Sequence, residues 1–172
     1  MNLSNEFHPV PKPVRKDKQC RKGKAKIPKK RKKKKPQVYK GRTIPSKEKR
    51  GEVSKREYNL MIENFGSVCV ICGNPYISAH HVKFRSHEGR GKWRNLMPLC
   101  VRCHKRAHND RNFADWLRQE REKRFGPWYW ADQYDLFLAG LIPNTTKEAF
   151  EKYMKEEEER ARLARVAAEN HS

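Results

Sequence analysis

Apolar residues come in short bursts along this chain, each with its own period. Tyr58, Met61, Ile62 and Phe65 recur on one helical face. Ser54-Lys55-Arg56-Glu57 precedes them with capping-box spacing, and Gly66 supplies the stop. Val68 to Ile71 reads as a short β segment and Tyr76 to Val82 as a strand; a polar, glycine-containing loop over 85–94 follows. Leu96 to Leu99 reads as a second strand, and its Pro98 suits an edge or a strand end. A helix is then expected to carry Cys103 through Asn109. Phe113, Trp116, Leu117, Glu120 and Arg124 lie on the next helix, stopped by Gly126-Pro127, and Trp128 to Leu138 reads as a short apolar helix ended by Gly140. Thr145-x2-Glu148 is a further capping-box spacing. It opens a long, mostly charged helix towards Glu169, with scattered apolar positions at Phe150, Met154, Leu163 and Val166. Short strands among helices make the expected class α+β.

Composition narrows this further. Of 172 residues, 35% are hydrophobic and 35% charged, so the core is small and a metal is a natural staple. The net charge of +21 favours a polyanionic partner. Most of it sits at the front: residues 1–50 hold twenty Lys and Arg against Glu6, Asp17 and Glu48, about +17 net, include the basic run Lys29 to Lys35, and are punctuated by Pro9, Pro11, Pro13, Pro28, Pro36 and Pro45. Such a block repels itself and buries nothing, so 1–50 is expected to be a disordered basic tail that grips phosphates without reading sequence. The remaining divisions are 51–112 for a ligand-rich core, 113–143 for accessory helices and 144–172 for the charged C-terminal helix. No apolar run is long enough to span a membrane. No N-terminal apolar segment of the secretory kind is visible, so a reducing, cytoplasmic setting is expected.

The chemistry concentrates between Cys69 and His108. Cys69-x2-Cys72 and Cys100-x2-Cys103 form two chelating knuckles, the arrangement of a closed, four-thiolate structural zinc site. Cys20 lies in the tail and is taken as a free thiol. The interval between the knuckles is longer than in an ordinary zinc ribbon, so something folded lies between them, and that insert carries His80, His81 and Asn95. His104 and His108 are four apart on a predicted helix, so one face can hold one cation, with His80 as a third ligand. Neighbours on a strand point to opposite faces, so His81 is free to address a water instead. A cation beside a near-neutral base is what phosphodiester hydrolysis needs.

These residues resemble the HNH endonuclease family: His80-His81 as its first element, Asn95 as its central asparagine, His104 as its last, with His108 as an added helix ligand and the two knuckles as a zinc-bearing variant. The resemblance covers about residues 66–110. It implies a ββα-metal fold with a hairpin over a helix. It further implies that His80, His104 and His108 bind the catalytic cation, that His81 is the general base, and that Asn95 holds the loop between the strands and so orients His81. It also implies cleavage of double-stranded DNA to 3′-hydroxyl and 5′-phosphate ends. Three imidazoles favour Mn²⁺, Ni²⁺ or Zn²⁺, while Mg²⁺ remains compatible through substrate and water oxygens. Cutting both strands calls for a homodimer or two events, and the small size and basic tail suit a phage or mobile-element enzyme working with DNA-processing proteins in a host cytoplasm.

Lys83, Arg85, Arg90, Lys92, Arg94, Lys105 and Arg106 surround this segment and are expected to clamp phosphates. Trp93 is expected to pack, Glu88 to pair with a nearby arginine, and His87 to stand by. Two other functions fit the composition: a non-catalytic zinc module that binds DNA or RNA, for which His81 is dispensable, and an accessory protein, such as one serving phage DNA packaging, whose C-terminal helix recruits partners.

Overall fold

The computed structural model of the protein describes residues 38–39 and 42–169. Most of the expected basic tail, Cys20 included, lies outside them. The described part opens on a two-residue ladder, β1 (Val38–Tyr39) against β2 (Arg42–Thr43), and a single helical turn, α1 (Lys47–Arg50), capped by Ser46. Regular structure therefore begins before residue 50, because Arg50 is drawn inward by carboxylates far along the chain.

Helix α2 (Lys55–Phe65) starts where its sequence says it should, with the Ser54 hydroxyl accepting the Glu57 N–H at 3.2 Å. Glu57 does not close the capping box. Its carboxylate instead takes Lys92 Nζ at 3.1 Å and the Trp93 N–H at 3.0 Å, tying α2 to the loop before the second strand. Gly66 ends the helix at φ +84°. The β segment expected over Val68–Ile71 is absent. Cys69 folds back on itself through Gly73 N–H to Cys69 O at 2.8 Å and Cys69 N–H to Asn74 O at 2.9 Å, a turn no strand could contain.

The centre is a two-stranded antiparallel sheet, β3 (Ile77–His81) and β4 (Leu96–Cys100), registered as Ile77 with Cys100 and His81 with Leu96. Every residue of β4 is buried, Pro98 included. Helix α3 (Val101–Asn109) follows directly and folds back across the hairpin. Fold class and the ββα core thus stand as expected from the sequence. Met97, Leu99 and Ala107 join Phe113, Leu117 and Phe125 of α4 (Arg111–Phe125) in one core.

The accessory part differs in detail. The helix expected over 128–138 is shorter, α5 (Gln133–Leu138), because Asp132 caps it, accepting the Tyr134 and Asp135 N–H groups while Asp135 accepts the Asp132 N–H. Helix α6 (Lys147–Glu169) is capped by Thr146 rather than Thr145, its Oγ1 accepting the Ala149 N–H at 3.3 Å. Its first half is not a free charged rod: Phe150 and Met154 share a second core with Ala131, Leu136 and Ile142. No helix among the described residues is long and apolar enough to cross a membrane.

Candidate active site

The ββα unit brings together two ligand sets, and their ligand atoms lie within 4.8 Å of one another in each: Cys69, Cys72, Cys100 and Cys103, and His80, His104 and His108. In the first, Cys72 Sγ stands 3.5 Å from Cys100 Sγ and 3.8 Å from Cys103 Sγ. Sulfurs bound to zinc at about 2.3 Å in a tetrahedron are separated by roughly 3.8 Å, so the spacing fits the ion. The acid–base balance fits it too. Burial raises the Cys69 thiol, but backbone N–H groups of Cys100, Ile71 and Cys72 outweigh this and hold it down to about 6. Burial and the other thiols push Cys103 up to about 12. Four adjacent thiols resist ionising together until a dication balances them.

In the second set the imidazole centroids lie 4.8 Å (His80–His104), 5.1 Å (His80–His108) and 5.1 Å (His104–His108) apart. Strand alternation buries His80 to 1% exposure while the helix places His108 at the surface, so the set is closed behind and open in front. Both ring nitrogens of His80 are buried without a hydrogen-bond partner among the described residues. That is costly for a polar ring unless a cation takes one of them. Burial, then the charges of His104 and His108, press its pKa down to about 3, so it stays a neutral ligand. Three ligands and an open front would leave room for a water or substrate oxygen on a cation held there.

Two residues that the sequence reading passed over complete this site. Ser78 Oγ lies 2.7 Å from His104 Nδ1 and 3.4 Å from the Leu99 carbonyl. A carbonyl only accepts, so Nδ1–H donates to the hydroxyl and the hydroxyl to Leu99, leaving His104 Nε2 for a metal. Phe84 stacks on His108 at 5.0 Å and meets His80 edge-on at 5.8 Å, walling one side. A Ser two residues before the His pair on one strand face was the available signal for the first; no local pattern marked the second.

His81 turns to the other face. Its Nε2–H donates to the Gly51 carbonyl at 3.0 Å, which leaves Nδ1 as the lone-pair nitrogen. Burial lowers its pKa, only partly offset by the Gly51 bond, so the ring is neutral and able to accept a proton. Asn95 is fully buried and clamps the intervening loop: Nδ2 donates to Lys83 O at 3.1 Å and Arg90 O at 2.9 Å, and Oδ1 accepts the Lys83 N–H at 2.8 Å. A Cβ at Gly89 would fall 1.7 Å from Lys83 O, so only glycine lets the loop close on Asn95.

The basic residues divide. Arg90 is buried at 2% against Asp135, and Arg94 at 4% against Glu151 and Glu158. Lys92 is held by Glu57. Arg90 and Arg94 serve the fold, because α5 and α6 bring carboxylates to them, and Lys92 is tied to α2. Arg85 donates to Glu48 O, exposed Arg106 pairs with Asp110, and Lys83 lies over the Trp130 ring. Lys105 stands exposed beside His104 and His108. Arg111 and Arg118, which the sequence reading left out, line a groove of about 580 Å³ with Lys83 and Phe84 next to the histidines. Glu88 pairs with Lys47, not an arginine, and Trp93 packs against Phe65 and Phe125. His87 is exposed, 3.1 Å from the Ser86 hydroxyl.

A comparison with curated proteins finds no match. Residues 69–110 match the family model for HNH endonuclease, spanning the segment from the first knuckle to the end of α3. Hairpin, helix, thiol cluster and histidine cluster all lie within or beside that span. Over this segment, and on this match, the chain is similar to the HNH endonuclease family.

Proposed function

We propose that the protein is a metal-dependent HNH endonuclease that hydrolyses phosphodiester bonds of double-stranded DNA. The observation that carries this reading is His80: a fully buried imidazole with neither nitrogen partnered, facing His104 and His108, while its neighbour His81 is neutral on the opposite face. His80, His104 and His108 hold the catalytic cation, and Cys69, Cys72, Cys100 and Cys103 hold a structural zinc. When bound, the divalent cation supplies Lewis-acid stabilisation of negative charge at the phosphoryl group.

The chain supplies the rest. His81 Nδ1 takes a proton from a water as its oxygen bonds to phosphorus in line, and the bond from phosphorus to the 3′ oxygen breaks, the 3′ oxygen taking a proton from solvent. The products are a 3′-hydroxyl and a 5′-phosphate. Asn95 keeps loop and strands in register so that His81 holds its place. Lys83, Arg85, Lys105 and Arg106, with Arg111 and Arg118, contact phosphates flanking the cut, and the basic N-terminal residues add affinity that falls with salt. Imidazole ligation favours Mn²⁺, Ni²⁺ or Zn²⁺ over Mg²⁺.

The test is cleavage of supercoiled plasmid at low salt by the protein and by His81→Ala, with each cation in turn and zinc content measured in both. Nicking or linearisation by the wild type alone, both proteins being zinc-loaded, is the expected result. DNA binding by both with cutting by neither, under every cation, would refute the nuclease reading.

A further inference from the structure

Behind the proposed base lie four buried charges that the chemistry above does not use. Arg50 donates through Nε to Asp132 Oδ2 at 2.7 Å and through Nη2 to Asp132 Oδ1 at 2.5 Å, with Asp135 Oδ1 at 2.6 Å. Arg90 grips the same Asp135 with two bonds of 2.7 Å. The four side chains are 3% to 12% exposed. Taking that many charges out of water is costly, and apolar packing would often serve stability as well.

The network joins three segments distant in sequence: the C-terminal end of α1, the loop before β4 and the capping box of α5. Backbone bonds join the same three. Gly91 N–H donates to Arg50 O at 3.0 Å, and Arg90 N–H to Trp130 O at 3.0 Å. At Gly91 a Cβ would fall 1.9 Å from Glu52 O, so loop and turn run in backbone contact. Between Arg50 and Glu52 sits Gly51, whose carbonyl receives the His81 Nε2–H. A one-turn helix such as α1 cannot hold its own end in place, so that carbonyl is located by what grips Arg50.

We propose that Asp132 and Asp135, through Arg50 and Arg90, are positioning residues for His81: the buried ion network locks the 50–52 turn so that the Gly51 carbonyl keeps the imidazole in its Nε2–H tautomer. This rests on His81 being the general base. It makes α5, about fifty residues downstream and outside the matched family segment, part of the support of the active site.

Histidine side-chain ¹⁵N–¹H correlation spectra of the full, zinc-loaded chain read the tautomer directly, His81 being assigned by its loss in His81→Ala. The wild type is expected to show Nε2–H; Nδ1–H would overturn the proposal. Two variants then attack the network from different sides. Arg50→Met removes a cation, whereas Gly91→Ala keeps all four charges and pushes Glu52 away. In each, with zinc content retained, His81 is expected to show mixed tautomers, and kcat for plasmid cleavage to fall about 10–100-fold, as when outer partners of a catalytic group are lost. KM is expected to stay within about twofold, since ground-state binding is untouched. Arg50→Lys should recover part of the loss. A wild-type tautomer and kcat in folded Arg50→Met or Gly91→Ala would sink the idea, and so would zinc loss in both, which would assign the network to folding alone. The tautomer is read without any cleavage, so failure of the nuclease reading shows separately, as an absence of cutting by the wild type.

Discussion

Replacing Asn95 by alanine removes three hydrogen bonds at once: 2.8 Å from the Lys83 N–H, 3.1 Å to Lys83 O and 2.9 Å to Arg90 O. The side chain is fully buried, so water does not readily take its place. Each such bond contributes about 0.5–1.5 kcal/mol net, and a buried backbone group left unpaired costs about 1–3 kcal/mol. With both carbonyls affected, the expected loss is about 3–4 kcal/mol, a large part of the roughly 5–15 kcal/mol available to a small domain. Asn95→Asp makes the argument sharper. It keeps the volume but turns the donor that faces Lys83 O and Arg90 O into an acceptor. It should therefore cost at least as much as alanine, which shape alone would not predict. The assay is urea unfolding with excess zinc, reading the midpoint and checking that the slope is unchanged. An aspartate variant as stable as wild type, or an alanine variant within about 1 kcal/mol of it, would refute the clamp assigned to this residue.

Three further outcomes follow from named contacts. Ser78→Ala deprives His104 Nδ1–H of its acceptor, so catalytic-cation affinity measured by calorimetry on the zinc-loaded protein should fall about 10–100-fold, with structural zinc unchanged. Arg90→Met should lose about 3 kcal/mol at pH 7, because it takes one of two cations from buried Asp135. Burial raises Asp135, but the Arg90 hydrogen bonds and the charges of Arg50 and Arg90 outweigh it and leave its pKa lowered in the folded state. Stability from that lowering is fully present above the unfolded value of about 3.9 and is lost as pH falls through the folded value. The gap between wild type and variant in pH-dependent unfolding should narrow below about pH 3.9, and a constant gap would count against the ion pair. Cys72→Ser should release the structural zinc, read by metal analysis, and with it the hairpin signal in circular dichroism; a variant that keeps both would show that the thiols do not bind zinc as a set.

Chelation is local chemistry, and that part of the protein was legible. Two C-x2-C turns and an i, i+4 histidine pair can be read because backbone geometry alone brings such side chains to one ion. Strand alternation likewise separated His80 from His81, and the Ser54 cap and the Gly66 and Gly126 stops lie in the residues beside each helix. Cap choice was harder where neighbours compete, as with Thr145 and Thr146, or where Asp takes the place of Glu, as in the Asp132–Asp135 box.

What no local pattern held was the partner of each charge. Arg85, Arg90, Lys92 and Arg94 look alike along the chain, yet Arg90 and Arg94 are buried against acids 45 to 64 residues away while Arg85 stays at the surface. The same holds for the Gly51 carbonyl that receives His81 and for the half of α6 that completes the second core. The sequence by itself determined which residues could bind metal, because a spacing of a few residues suffices to pair them within each knuckle and along α3. Only the tertiary structure decided which charges were left for solvent and substrate, because an ion pair's energy depends on distance and burial, and both are set by how distant helices pack.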